Sequence, residues 1–292
     1  MKNSQPTYLD GSEESILALY GEAGSDQKVA EILANNPPWA LRYHLAPERE
    51  QLLSWYPFKS RANLLEVGAG CGALTGLFCR AVSHVTAVEL TESRAAIIRR
   101  RHHAQKNLEV ITGNIDTTPV NNGFDYVTSI GVLEYAGRFT PSENPALDFI
   151  HRLKSFLKPN GHLIIAIENK FGLKYWAGAP EDHTGRYFDS LENYPHPTGI
   201  QTFSKKELVR LLEESGFSHI EFYYPLPDYK FPVEVFSDHY PPTLNHNILM
   251  GLLPAYHSHD RQYLFNEKLV MDNVIREGVF DFFTNSFLIF AS

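Results

Sequence analysis

Residues 63–72 read Asn-Leu-Leu-Glu-Val-Gly-Ala-Gly-Cys-Gly, an apolar run that breaks into glycines at 68, 70 and 72. Glycine allows a tight turn and lets a ligand approach the backbone without meeting a side chain. A second apolar run, His84-Val-Thr-Ala-Val-Glu89, ends on a carboxylate. A strand, a glycine turn and an acid about twenty residues on make a nucleotide-type cofactor site, with the acid accepting from ribose hydroxyls. The glycines alone do not name the cofactor, because Gly68-x-Gly70-x-x-Ala73 also satisfies the dinucleotide fingerprint.

The surrounding rhythm sets the fold class. Strands are expected at 63–67, 84–88, 108–113, 124–130 and 161–167, with helices at roughly 72–82, 91–104 and 144–157, the last closed by Lys158-Pro-Asn-Gly161 as a turn. This alternation is that of a parallel sheet with helices on both faces. Ahead of it, residues 1–60 read as helices opening at Ser12, Ser25 and Pro47. Behind it, residues 169–200 are rich in Gly, Pro and aromatics, and Ser204 caps a helix that runs to Gly216. Strands follow at about 218–224 and 286–291. The intervening stretch is too long for a structureless loop and is expected to form a cap with helices near 245–253 and 262–277. The expected organisation is an N-terminal helical extension (1–60), an α/β core (61–225 plus 284–292) and a substrate-side insertion (226–283).

Composition excludes some partners. The net charge of −8 provides no basic footprint for nucleic acid. No run approaches a membrane span and the first residues lack a signal-peptide core, so no membrane insertion and a cytoplasmic location are expected. Cys71 and Cys79, over two turns apart if both lie on the helix after the glycines, are too far apart for a disulfide.

Three observations choose the cofactor. Glu66, two residues before Gly68, would repel a pyrophosphate but suits a ligand carrying an ammonium and a sulfonium. No tyrosine is followed by lysine four positions on, so the common dehydrogenase pair is missing. The third strand ends in Thr112-Gly113-Asn114-Ile115, and the fourth reads Phe124-Asp-Tyr-Val-Thr-Ser-Ile-Gly-Val-Leu-Glu-Tyr135. As an ordered set over residues 60–220 plus the last strand, these segments resemble the class I S-adenosylmethionine-dependent methyltransferases.

That resemblance implies a Rossmann-like, seven-stranded sheet of order 3-2-1-4-5-7-6 whose last strand is antiparallel. It implies that Gly68, Ala69 and Gly70 approach the methionine part of S-adenosylmethionine. Glu89 takes the ribose hydroxyls, with Leu90 beside it. Asn114 meets the adenine amino group, where aspartate is commoner, and Ile115 meets the ring. Ile130, at the end of the fourth strand, completes the cofactor wall with Glu66, and Tyr43-His44 is placed to close over it. More loosely, Glu168 to Leu191, Tyr223 to Pro232 and Phe236 to Asp238 resemble methyltransferase modules found with bacterial surface-polysaccharide and glycosyltransferase genes, which implies O-methylation of a sugar or glycan-like acceptor.

In an open α/β sheet the reacting atoms lie beyond the carboxyl ends of the strands, which brings forward Glu134 and Tyr135 after strand four and the segment after strand five. His183 is expected as general base, because imidazole accepts a proton near neutral pH, with Asp182 or Glu181 raising its basicity. No metal is expected. His257-Ser-His-Asp260 has ligand-type residues but no framework, and His102-His103 beside Arg99-Arg-Arg101 reads as a solvated face. Asn36-Pro-Pro-Trp39 matches an amine-gripping motif out of its usual order and reads as a turn. The leading expectation is methyl transfer to an oxygen of a small molecule or glycan. N- or C-methylation of a metabolite, an NAD-dependent oxidoreductase and a non-catalytic binding module are the alternatives.

Overall fold

The computed structural model describes residues 9–21, 25–248 and 261–292. Among them eight strands form one sheet: β1 (Asn63–Val67), β2 (His84–Glu89), β3 (Leu108–Thr112), β4 (Phe124–Ile130), β5 (Leu157–Glu168), β6 (Ile220–Leu226), β7 (Glu234–Ser237) and β8 (Ser286–Ala291). Their order is β3-β2-β1-β4-β5-β8-β6-β7. The seven expected strands fall in the expected order, and β7 adds an eighth at the edge. It pairs antiparallel with β6, Tyr223 opposite Ser237 and Leu226 opposite Glu234. Four residues following Pro232 carry too little alternation to read as a strand.

The helices are α1 (Glu13–Leu19), α2 (Ser25–Ala34), α3 (Trp39–Leu45), α4 (Thr75–Ala81), α5 (Glu92–Arg101), α6 (Ala136–Phe139), α7 (Pro145–Ser155), α8 (Leu173–Trp176), α9 (Lys205–Glu214), α10 (Glu267–Arg276) and α11 (Phe280–Phe283). The turn at Asn36-Pro-Pro-Trp39 starts α3, with Asn36 at φ 48° and Pro38 as N-cap. The helix expected at Pro47 is a 3₁₀ segment, Pro47–Leu52. α4 begins three residues later than expected because Gly72 sits at φ 76°, outside helical backbone, and this leaves Cys71 in the turn. β5 begins at Leu157, so Lys158-Pro-Asn-Gly161 is extended rather than a turn. Its first residues face solvent, which gave them a turn-like composition. The expected helix near 245–253 lies partly, and His257-Ser-His-Asp260 wholly, outside the described residues.

Contacts divide the chain into two compact units, one of residues 1–128 with 156–159 and one of 129–155 with 160–292. In the first, β1 pairs parallel with β2 and β2 with β3, and β1 and β2 are buried almost throughout. Apolar runs without alternation follow from that two-sided burial. The N-terminal helices belong to this unit: Ile16, Leu19 and Leu45 pack with Cys71 of the glycine turn and Ile97 of α5. In the second unit β8 lies antiparallel between β5 and β6. Ser204 and Glu207 form a reciprocal capping box that starts α9.

Candidate active site

The cofactor half is built from the first unit. Gly68, Gly70 and Gly72 all have positive φ, at 70°, 58° and 76°. A Cβ added at Gly70 would meet nothing within 4 Å, so the loop opens onto free space there. Glu89, buried at the end of β2, accepts from Gly70 N at 2.9 Å through Oε2 and from Thr91 N at 2.9 Å through Oε1. Thr91 Oγ1 also donates to Oε1 at 3.1 Å, and since a carboxylate oxygen can accept twice, Oε2 keeps capacity for one ribose hydroxyl. Leu90, half-buried, links Glu89 to Thr91, the N-cap of α5. Asn114 and Ile115 follow Gly113, and Asn114 Oδ1 accepts from Asp116 N at 2.9 Å, which shapes the turn. Ile115 is buried. An open glycine cradle and an acid with spare acceptor capacity fit S-adenosylmethionine.

Glu66 takes a different part from the one its charge implies. It is buried, and Thr75 Oγ1 donates to its Oε2 at 2.6 Å. Burial and the neighbouring Glu89 push its pKa up to about 8, which favours the protonated carboxyl, and the Thr75 bond ties β1 to α4. Desolvation outweighs the Thr75 bond and works against the negative charge read from the sequence.

On the basic stretch at the end of α5, Arg99, Arg100 and His103 are exposed as expected, whereas Arg101 and His102 turn inward. Arg101 donates to His44 O at 2.7 Å and to Cys71 O at 3.2 Å, and His102 Nε2 pairs with Gly72 O at 2.8 Å. Burial lowers the His102 pKa to about 4. Arg94, almost fully buried, bonds Glu13 and Asp10 at 2.9 Å each, and Asp10 meets His44 Nε2 at 2.7 Å. These bonds fasten α1 and α3 to the glycine turn. Tyr43, next to His44, is half-buried beneath the Arg49 guanidinium, 4.3 Å from its ring centroid.

The second unit holds a buried polar cluster. Ile130 ends β4, and Gly131, at φ 69°, turns the chain toward Glu134 and Tyr135. Glu168 is the last residue of β5. His183, on the loop after α8, brings Nε2 to 3.5 Å from Glu134 Oε1 and 3.7 Å from Glu168 Oε2, while Nδ1 lies 2.9 Å from Glu181 Oε1. The three Glu side chains are at most 1 % exposed and that of His183 is 7 % exposed. Tyr135 packs edge-on against the imidazole, ring centroids 5.4 Å apart.

Of the two acids expected to support His183, Glu181 does so. Asp182 instead pairs with Lys174 at 2.8 Å and Lys230 at 2.7 Å. Lys230 also pairs with Glu168 Oε1, and Tyr229 OH reaches the same oxygen at 3.4 Å. A side chain at residue 131 would collide with Tyr229 OH, 2.7 Å from the Cβ position. The role of Gly131 could be suspected from a glycine directly after a buried strand. The Lys174–Asp182–Lys230 pairing has no sequence signature.

The cluster changes what His183 can do. Burial alone would lower its pKa, but Glu168, Glu134 and Glu181 outweigh that and raise it well above the usual value. Those carboxylates favour the charged form of the imidazole, which weighs against His183 as the proton acceptor. Burial and the charge of Glu168 raise the Glu134 carboxyl above the usual carboxylate range. A cavity of about 400 Å³ opens beside Glu134, lined also by Leu133, Tyr194, Ile200 and Phe203. Among the described residues, no helix is long and apolar enough to cross a membrane.

Comparison with known proteins places the chain. A family described as a methyltransferase domain matches residues 40–221. Phosphoethanolamine N-methyltransferase 1 of Triticum aestivum is 26% identical over 125 residues, 40% of this chain. The match spans only 24% of that enzyme's length. Among solved structures, a chain of the complex between the Haloferax volcanii Trm112 methyltransferase activator and a methyltransferase aligns over 98% of both chains, with a TM-score of 0.52 and 14% identity. Haemonchus contortus phosphoethanolamine N-methyltransferase 1, in complex with phosphoethanolamine and S-adenosylhomocysteine, aligns over 78% of this chain and 48% of its own, with a TM-score of 0.49 and 13% identity. With its family pattern running from α3 through the glycine loop to β6, the chain belongs to the methyltransferase-domain family, and its cofactor is S-adenosylmethionine.

Proposed function

We propose that this chain transfers a methyl group from S-adenosylmethionine to an oxygen of a small polar acceptor, with a sugar hydroxyl as the favoured class. The observation that carries the reading is Glu134, which follows β4 and lines a cavity of small-molecule size. Its Oε2 is buried and accepts no hydrogen bond from the described residues. When bound, the cofactor supplies an electrophilic methyl group on a sulfonium. The protein's task is to bring the acceptor oxygen into line with it and to remove the hydroxyl proton. In this reading Glu134 Oε2 takes that proton. On taking it the Glu134 carboxylate becomes a neutral carboxylic acid, with His183 Nε2 beside its other oxygen and Tyr135 packed edge-on against the imidazole.

The remaining cofactor assignments follow the site's order along the chain. Gly68, Ala69 and Gly70 approach the methionine part and Glu89 takes the ribose. Asn114 and Ile115 take the adenine, with Leu90, Ile130 and Tyr43 contributing the walls. Tyr194 and the polar Asn144, Asn193 and Gln201 in the lining, with the resemblance of residues 168–191 to polysaccharide-associated modules, support a sugar.

The test is a panel of sugar and phenolic hydroxyls and primary amines, scored by S-adenosylhomocysteine release. Turnover with hydroxyls, lost in Glu134→Gln with S-adenosylhomocysteine affinity intact, is the expected result. One observation favours a second reading. Glu134 and Glu168 each leave a buried Oε2 without a hydrogen bond, and a pair of such oxygens would also receive an ammonium. Turnover confined to amines would replace the oxygen acceptor by a nitrogen one. Cofactor binding with no turnover on the whole panel would favour the binding-module alternative.

A further inference from the structure

Glu134, Glu168 and His183 come from three separate stretches of chain, yet each offers one ligand-type atom within 4.8 Å of the others. The 3.5 and 3.7 Å separations from His183 Nε2 to the two carboxylates are long for hydrogen bonds. They are close to the donor spacing of about 3.4 Å around a tetrahedral ion with bonds of about 2.1 Å.

Two independent features point the same way. First, Glu134 Oε2 and Glu168 Oε2 are buried and accept no hydrogen bond from the described residues, although buried carboxylate oxygens are ordinarily satisfied. Glu168 spends its other oxygen on Lys230 and Tyr229, which leaves Oε2 facing His183. Second, Glu181 Oε1 engages His183 Nδ1 at 2.9 Å and is itself held by His183 N at Oε2, 2.8 Å away. A carboxylate behind a histidine is the arrangement that fixes the ring and aims Nε2 at a metal.

We propose that Glu134, Glu168 and His183 form a site for one divalent transition-metal ion, bound through the two carboxylates and Nε2, with Glu181 orienting the imidazole. Two carboxylates and one imidazole suit manganese, iron or zinc better than a thiolate-seeking ion. A coordinated oxygen would be polarised by such an ion. The proposal takes from the functional reading only the location of the cluster, and the ion is detected without methyl transfer.

The test uses the full chain stripped with chelator and titrated with Mn²⁺ and, separately, Zn²⁺, followed by calorimetry and, for Mn²⁺, by pulsed EPR. The expected result is saturable binding of one ion per chain, with ¹⁴N coupling from imidazole in the Mn²⁺ spectrum. Glu168→Gln and His183→Asn should each weaken binding at least tenfold, and Glu181→Gln by about tenfold to a hundredfold. Glu213→Gln, exposed on α9, should leave it unchanged. Variants are checked for folding by circular dichroism, and the spectrum of the unmutated chain decides the matter if they unfold. No saturable binding, or binding without nitrogen coupling, overturns the proposal. A chain that binds the ion and methylates no hydroxyl refutes the functional reading alone.

Discussion

The glycine-loop region and the buried acid cluster follow opposite plans. In the first, the residues expected to touch cofactor lie at strand ends in chain order, and backbone geometry supplies most of the recognition: three glycines at positive φ and one acid that accepts from the loop itself. In the second, Glu134, Glu168, Glu181 and His183 converge from separate segments, and burial sets their chemistry. A site written in backbone conformation tolerates drift in side chains but not at its glycines. A site written in buried charge tolerates backbone variation but not loss of one partner, because an uncompensated buried charge costs several kcal/mol.

The sharpest test of that contrast is Glu134→Gln. It is expected to lower kcat by about 10²- to 10⁴-fold, the span of general-base catalysis, and to leave S-adenosylhomocysteine affinity within a factor of about two. Equal losses in affinity and kcat would show that the two regions do not act separately.

Next in size is the pH dependence of the first unit. The Glu66 carboxyl is raised from 4.5 to about 8 in the fold. Its stabilisation is therefore complete below the unfolded value and is lost as pH rises through this window, because only the unfolded chain releases the proton freely. Urea unfolding of the cofactor-free protein should lose up to about 1.4 kcal/mol per pH unit between pH 5 and 8 from this group. Glu66→Gln should remove that slope, and an unchanged slope would locate its origin elsewhere.

Glu89→Gln probes the same half at the ligand. With charge-assisted bonds to ribose hydroxyls weakened, S-adenosylhomocysteine affinity should fall about ten- to a hundredfold by calorimetry. Normal affinity would remove Glu89 from the ribose. Smallest is Ser204→Ala, which deletes one half of the capping box of α9. A loss of about 1 kcal/mol, read as a fall in Tm of about 2–4 °C, is expected with cofactor affinity unchanged.

Much of the fold was readable along the chain. β1, β4 and β8 fall where their apolar runs placed them, because strands buried on both faces must be apolar throughout. The capping box at Ser204 marks the start of α9 to the residue, since the motif satisfies backbone groups local to it. β7 was not readable, being four residues that gain their hydrogen bonds only from β6. Arg101 and His102 resembled a solvated face because their partners, His44, Cys71 and Gly72, lie far away in sequence.

The sequence by itself determined the cofactor half, since a strand, a glycine turn and an acid at the next strand end are near neighbours whose geometry follows from local backbone rules. It also named His183 and Glu134. Only the tertiary structure decided their surroundings: an imidazole set among three buried carboxylates, and a carboxyl lining a cavity. Protonation is set by desolvation and by charges a few ångströms away, and those distances come into being when distant segments pack together.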